Sequence, residues 1–550
     1  MAETLERRVA AIFGRIANAV DFRRVAAETL RGESTVVVSG LAGTARALFV
    51  AGLWQTMRRP LVVVTAHDAE AATLAADIAY FHAQLNACSP DRVAVFPSWE
   101  TDPYSGVAPH AEVQQARAAT LWRLRRRMAD VVVAPMRAIL SRLPAPSRFD
   151  AACLRLAAGE EISQELLVEH LASAGYLREE PVGAEGEFSV RGGIVDLFSP
   201  LMPRPARIEF FGDSVDSIRE FDLDDQRSRG PLQRIDILPM RDVPISGELL
   251  RVWSAAAVER WGAAFEKDLA EKRDLAIHGE IFPGMQFLMP LVAPLEATLL
   301  DYAGETALVL DEPEAIGEVA EEFLSGLERR YAETAGAGGV ALPPAELFVT
   351  PGELEAGGVK RLTLERIGLD ELGEGDAVGR PVASFRVNAQ SVAKFHGRVS
   401  DMAEAVRKAT EQGTDVALIG ATVGMAERLR DILHEYGVPF RLEFGEQPVR
   451  DPGDSRAPII GVGRISEGLR IPDAGLEIYA ESDIFDESER LQSRHPRRSK
   501  VSAFISNLQD LKVGDYVVHV DHGIGTYNGI TLVHDRECMV LLYQGADRLY

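Results

Sequence analysis

The sequence predicts a multidomain α/β protein: a parallel-sheet domain carrying an inserted α+β module, a second α/β domain, and a small β-barrel. Three observations carry that expectation. The chain has 550 residues, and at roughly 100–200 residues per domain that predicts about three to five domains. Residues 30–140 alternate continuous β-branched runs with helix-period segments, as in a parallel sheet buried on both faces. After residue 511 the pattern becomes short alternating strands between glycines, which suits a small barrel.

The elements follow in order. "STVVVSG", "PLVVVTA", "RVAVFPS" and "DVVVAPM" read as buried strands. Between the first two, Ala45, Leu48, Phe49, Gly52 and Leu53 follow helical spacing and predict a helix with one apolar stripe lying on the sheet. The resulting βαβ unit, doubly wound, is expected over residues 1–152 and again over 241–345, where helices and the strand "TALVLDE" complete it. Residues 153–240 hold shorter strands with turns at Gly192-Gly193 and Gly212-Asp213, predicting an antiparallel-rich insertion. "TAGAGGVALPP" at 334–344 has linker composition. A second α/β domain is expected over 346–485, its strand–helix alternation becoming regular near 380. An exposed mixed-charge linker is expected over 486–510, and the barrel over 511–550, where the chain is cut at an apparent strand and is expected to continue.

Composition limits the function classes. With 46% hydrophobic and 26% charged residues the chain is expected to fold. Its 83 acidic against 59 basic residues give a net charge of −24, which opposes holding nucleic acid by phosphate contacts alone. Three cysteines, Cys88, Cys153 and Cys538, show no CxxC spacing, so a reducing cytoplasm is expected and zinc is not. The amino terminus lacks the pattern of a secretion signal, and no uncharged apolar run approaches the roughly 18 residues of a membrane span, so no membrane partner is expected.

The turn "GLAGTARA", Gly40 to Ala47, stands where a phosphate loop would stand, after a strand and before a helix. That loop needs Gly-x-x-x-x-Gly-Lys-Ser/Thr: backbone N–H groups and Lys hold phosphates, and the hydroxyl binds Mg²⁺. Gly40 and Gly43 are present, but Ala45 replaces the second motif glycine, Arg46 the lysine and Ala47 the hydroxyl. Arg46 could still meet a phosphate, yet phosphoryl transfer lacks its metal ligand. Asp311 and Glu312, ending "LVLDE", read as surface acids rather than a Mg²⁺-holding pair. No catalytic residue and no metal site is assigned. His519 and His522 in "HVDH" read as structural, and Arg123, Arg125, Arg126 and Arg127 as a solvated helix terminus favoured by the macrodipole.

Together with this loop, "VVTAHDAEAATLAADI", "FPSWETDPYSGVAPH" and "VVVAPMRAIL" resemble the first domain of bacterial transcription-repair coupling factors, which is similar to the damage-recognition protein UvrB. The resemblance spans essentially the whole chain and implies a degenerate helicase-like nucleotide-binding fold. The tyrosine-rich DNA-clamping hairpin of UvrB has no counterpart, since "PYSGVAPHAEVQQARAATLWRL" runs directly into a helix. "VRGGIVDLFSP" and "ARIEFFGD" resemble the UvrA-binding module, which implies that Arg191, Arg207 and Phe211 contact UvrA. From the residues alone an interface and an ordinary strand face, with solvated arginines and Phe211 in the core, are equal readings. Arginine forks and aromatics are the residue types of interface hot spots.

"GDYVVHVDHGIGTYNGI" resembles the RNA-polymerase-interacting domain of the same family, a Tudor-like barrel related to CarD regulators. Gly514, Gly523, Gly525 and Gly529 are expected at its tight turns. The resemblance implies that Ile530, Thr531, Leu532 and Val533 add to a strand edge of the polymerase β subunit. It also implies no cofactor in this portion, while ATP and Mg²⁺ serve a motor beyond residue 550 that moves on double-stranded DNA. The expected role is an adaptor recruiting UvrA and excision repair to stalled polymerase. The alternatives are a UvrB-like ATP-dependent helicase or damage-binding enzyme, and a CarD-like transcription regulator.

Overall fold

The computed structural model describes residues 22–32, 35–262, 266–356, 360–366, 382–442, 457–485, 516–519, 523–533, 536–542 and 548–549. The chain forms two compact units, residues 1–491 and 492–550. The linker expected at 486–510, together with Gly514 and His522, lies outside the described residues.

The first unit is organised by a seven-stranded, wholly parallel sheet. From edge to edge its strands are Val382–Arg386, Thr35–Ser39, Lys360–Glu365, Ala307–Asp311, Leu61–Thr65, Val131–Pro135 and Val93–Val95. The valine runs Val36–Val38, Val62–Val64 and Val131–Val133 are buried because helices cover both faces. Two strands correct the expected boundary at 345/346. Lys360–Glu365 lies between Thr35–Ser39 and Ala307–Asp311, and Val382–Arg386 pairs with Thr35–Ser39, so the first sheet draws on the chain well past residue 346. Lys360, Arg361 and Glu365 disguise a central strand, whose Leu362 and Leu364 are buried in the shared core.

The helix Ala45–Met57 also differs from the expected one-sided pattern. Besides Ala45, Leu48, Phe49, Gly52 and Leu53, it buries Ala47, Val50 and Ala51. A helix apolar all round is a buried helix. The shared core supplies apolar partners from Phe22 and Val25 on the helix Phe22–Arg31 and from Leu469, Ile471 and Ile478 of the second α/β domain. The stretch 334–344 is likewise no open linker. Its first residues finish the helix Pro313–Gly336, and Val340 and Leu342 are buried with Trp253, Phe282 and Met289.

Residues 154–237 form the inserted module. A six-stranded sheet runs Ser228–Pro231, Ser214–Phe221, Ala206–Phe211, Ile194–Leu197, Glu187–Arg191 and Leu177–Arg178, antiparallel except at the last pair. Leu154–Ala157 and Arg234–Ile237 pair beside the module's entry and exit. Just after the exit, Asp242 accepts from Nε of the fully buried Arg117 at 2.5 Å, and Arg117 also donates to the Pro97 carbonyl and the Ser141 hydroxyl. Its guanidinium lies 4.0 Å from the Phe96 ring centre and 4.5 Å from that of Trp99. Removing one member of such a buried pair costs about 3–5 kcal/mol, so this contact fixes where the insertion rejoins the first sheet.

The second α/β domain has a five-stranded sheet in the order Arg441–Leu442, Ile459–Val462, Asp415–Gly420, Leu476–Ala480 and Leu469–Ile471, parallel except for the last strand. The helices Val399–Glu411 and Val423–Glu435 bury Met402, Val406, Leu429 and Leu433 against it. No helix among the described residues is long and apolar enough to cross a membrane.

In the second unit Tyr516–His519, Gly523–Val533, Arg536–Leu542 and Arg548–Leu549 form an antiparallel meander. Among the described residues this sheet is open, without the closing strand pair of the expected barrel. Gly523 pairs with His519 at the hairpin, whereas Gly525 and Gly529 lie within the long strand and not at turns. The register slips between Tyr527 and Ile530, so Gly529 falls in a bulge, a place where glycine spares the strand a side chain.

Candidate functional site

Arg191, Arg207 and Phe211 come together on one face of the inserted sheet. Ser189 pairs with Asp196 and Asp196 with Arg207; in the next row Arg191 pairs with Ile194 and Ile194 with Glu209. Opposed residues share a face, and along a strand successive residues change face while alternate ones keep it, so Arg191, Asp196, Arg207, Glu209 and Phe211 look outward. Phe188, Val195 and Ile208 look inward, where the helix Gln164–Ser173 covers them with Leu167 and Leu171.

Asp196 organises the outward face. Arg207 Nε donates to one carboxylate oxygen at 2.8 Å and a terminal nitrogen to the other at 2.9 Å, while Arg191 donates to the second oxygen at 2.9 Å. The Asp196 side chain is 1% exposed beneath the two guanidinium groups, with Arg207 at 15% and Arg191 at 45%. The bonds to Asp196 raise the Arg207 pKa above its ordinary value. Arg207 also lies 4.9 Å from the Phe221 ring centre, which fixes its plane. Arg191 gives one terminal nitrogen to Asp196, and its Nε lies 3.9 Å from the exposed Glu180 carboxylate, so its other terminal nitrogen is the donor left for a partner's carboxylate.

Phe211 is 82% exposed, the most exposed of the large hydrophobic side chains described. This overturns the reading of Phe211 as a core residue. It precedes the Gly212-Asp213 turn, and the antiparallel alternation that buries Ile208 points Phe211 outward. A rigid aromatic beside two carboxylate-anchored arginines has the chemistry of a protein-binding hot spot.

The degenerate phosphate loop has a different fate. Gly40 and Gly43 adopt positive φ, 79° and 60°, and Ala45 begins the helix with Arg46 and Ala47 in its first turn. Arg46 is closed onto Asp311 in an ion pair. Asp311 is therefore no surface acid: it is buried at the end of its strand, and burial raises its pKa against the opposing pull of Arg46. The partner that explains its burial lies 265 residues away in sequence. Glu312, in the left-handed region at φ 61°, accepts from the backbone N–H of Arg366 at 2.7 Å.

Sequence reasoning did not single out the cluster of His82, Cys88 and Asp130, whose ligand atoms lie within 4.8 Å of one another. Asp130 is held by Arg92 through two bonds of 2.5 and 2.6 Å and by His82 Nε2 at 3.0 Å. A metal ion there would face the Arg92 guanidinium, so the donor set suits an ion-pair network better than a cation. Of the four arginines at 123–127, Arg125 is tied to Asp150 at 2.6 Å, and the Arg127 carbonyl accepts from Arg92.

Ile530, Thr531, Leu532 and Val533 lie at the end of the strand Gly523–Val533 and pair with Met539, Cys538, Glu537 and Arg536. On the other edge of that strand, Tyr516–His519 reaches only Gly523 to Thr526. Among the described residues, the edge from Ile530 to Val533 therefore has no strand beside it.

Comparison with known proteins adds family to this geometry. Residues 154–242 match the family model of the UvrB interaction domain, and residues 511–550 that of the CarD-like/TRCF RID domain. The transcription-repair-coupling factor of Myxococcus xanthus is 30% identical over 550 residues, covering 95% of this chain and 45% of that protein. That of Bacillus subtilis is 27% identical over 554 residues, covering 96% and 45%. The chain thus spans about half the length of the curated relatives it matches. An XPD helicase structure aligns over 81% of each chain at 10% identity, but its TM-score of 0.22 carries no argument about the fold.

Proposed function

With a chain that is a relative of the transcription-repair-coupling factors along 95% of its length as the premise, we propose that it is an adaptor in transcription-coupled DNA repair. In this reading the inserted module takes UvrA on the face of Arg191, Arg207 and Phe211, and the last sheet takes the RNA polymerase β subunit on the edge Ile530–Val533. The observation that carries it is Phe211, 82% exposed on the same sheet face as two arginines anchored on a buried aspartate. Exposing a phenylalanine forgoes about 1.5–3 kcal/mol of burial, and a partner that covers the ring recovers it.

The polymerase side rests on different physics. Among the described residues the edge Ile530–Val533 is open, and an open strand edge offers unpaired N–H and C=O groups to an incoming strand. The match at 511–550 to the CarD-like/TRCF RID domain supports reading this edge as the polymerase contact and its sheet as part of a Tudor-like barrel. ATP-driven movement on double-stranded DNA, with ATP and Mg²⁺ as cofactors, belongs in this reading to a motor in the part of such proteins that this chain does not span. A cytoplasmic setting follows from the same partners.

The test is co-purification. Tagged chain, UvrA and core polymerase are mixed pairwise and together on a sizing column. The adaptor reading expects binary complexes with each and one peak containing all three. Capture of polymerase alone would favour a CarD-like regulator, and capture of neither would end the reading.

A further inference from the structure

The second α/β domain reaches into the degenerate phosphate loop. Its connection between the strands Ile459–Val462 and Leu469–Ile471 places Ser466, Glu467 and Gly468 against Gly43 and Thr44. Thr44 Oγ1 donates to the Glu467 carbonyl at 3.0 Å. A Cβ on Gly43 would lie 2.9 Å from the Gly468 carbonyl oxygen, so Gly43 is needed for the approach as well as for its positive φ. In an intact phosphate loop this concave backbone holds phosphate oxygens; here the Gly468 carbonyl oxygen lies against Gly43 and the Glu467 carbonyl accepts from the Thr44 hydroxyl, while the N–H groups of Leu41 and Ala45 donate to the Glu365 and Ala42 carbonyls.

Polar bonds on both sides hold the connection in place. Ser466 N and Oγ each donate at 2.6 Å to Asp77, a buried residue of the helix Asp68–Asn86. Ser482 Oγ donates to the Ser466 carbonyl at 2.7 Å, and Gly468 N donates to Asp483 at 2.8 Å. The Tyr80 ring lies where a side chain at residue 463 would go, with its carbon 2.2 Å from a Cβ built on Gly463. Beneath these bonds Leu48 and Phe81 of the first domain share one apolar core with Ile419, Leu469, Ile471 and Ile478 of the second.

We infer that residues 463–468 are a built-in ligand for the degenerate loop: they take the place of nucleotide phosphates and clasp the two α/β domains into one body in the absence of nucleotide. Arg46, turned to Asp311, completes the closure, since the side chain that could have met a phosphate is already neutralised. The clasp explains why the loop keeps Gly40 and Gly43 after losing the residues that serve ATP. Those glycines now serve close backbone approach, Gly40 to the Val387 carbonyl and Gly43 to that of Gly468. The inference goes beyond the adaptor reading and stands or falls independently of UvrA and polymerase.

Hydrogen–deuterium exchange on the 550-residue chain tests it. In the unaltered protein the segment 464–468 should exchange far more slowly than an unstructured peptide, and millimolar ATP with Mg²⁺ should leave 40–47 and 464–468 unchanged. Unstructured rates at 464–468, or protection or release of either segment by ATP with Mg²⁺, would overturn the clasp. The pair Thr44→Val and Ser466→Ala should speed exchange at 464–468 at least about tenfold while Leu61–Thr65 in the first sheet keeps its protection. Unchanged rates at 464–468 in that variant would also overturn it, and the ATP comparison on the unaltered chain decides the matter should the variant fail to fold.

Discussion

Arg207 lies bidentate on Asp196, with Nε 2.8 Å from one carboxylate oxygen and a terminal nitrogen 2.9 Å from the other. Arg191 reaches the same carboxylate from the neighbouring strand at 2.9 Å. Asp196 therefore sets the spacing of two surface cations without being exposed itself. An arginine held in this way loses less side-chain freedom when a partner's carboxylate arrives.

Replacing Asp196 by asparagine should disturb both binding and stability. The loss of charge leaves Arg207 only partly exposed with a weaker partner, at a cost of about 1–3 kcal/mol. Urea unfolding should register that loss, and UvrA affinity should fall further than in Arg207→Ala, because two arginines are released instead of one.

The Arg46–Asp311 pair predicts a larger structural effect. Arg46→Ala strands a buried carboxyl, which costs about 3–5 kcal/mol when a buried partner is removed. Arg46→Ala together with Asp311→Leu should recover most of that loss, since no charge is left in the interior. A double variant as unstable as the single one would show that the pair does not set the stability here.

The clasp predicts a pH dependence. Burial outweighs the two Ser466 bonds and raises the Asp77 carboxyl from 3.8 to about 6. Folded protein thus holds this proton more tightly than unfolded protein does, and the contribution of Asp77 falls as pH rises from about 4 to about 6. Across that window the unaltered chain should lose stability relative to Asp77→Asn, by on the order of 2–3 kcal/mol. Chemical unfolding of both proteins at pH 4.5 and 7.0 measures it; a difference that does not change with pH contradicts the assignment.

The edge Ile530–Val533, open among the described residues, makes a paired prediction. Successive amides in a strand point to opposite edges, so of Thr531→Pro and Leu532→Pro one removes an outward N–H and the other breaks the ladder with Arg536–Leu542. One of the two should abolish polymerase capture while the sheet stays folded by circular dichroism. Capture retained by both would exclude strand addition at this edge.

Legibility followed sequence distance. The four strands between residues 35 and 135 were readable because their valine runs are local and buried on both faces. The central strand Lys360–Glu365 was not, since its Lys, Arg and Glu mask Leu362 and Leu364 and its partners lie elsewhere in the chain. Phe211 could have been placed from "ARIEFF" alone: it shares alternation with Arg207 and Glu209, against Ile208 and Phe210. The all-round burial of the helix Ala45–Met57 was also visible in its Val50 and Ala51, but the body that covers its far side was not. Asp311 with Arg46, and Ser466 with Asp77, join residues 265 and 389 positions apart, and no local pattern announces such pairs.

The central claim is that the outward face of the inserted sheet is the UvrA contact, and titration of purified UvrA against the unaltered chain and Arg191→Ala/Phe211→Ala tests it most directly. Phe211 is exposed, and Arg207 keeps its two bonds to Asp196 when the Arg191 bond is lost, so the variant should stay folded with a stability loss of about 1–3 kcal/mol in urea unfolding. Its UvrA affinity should fall at least about thirtyfold, the effect of losing a hot spot of about 2 kcal/mol. Unchanged affinity in a folded variant would contradict the account.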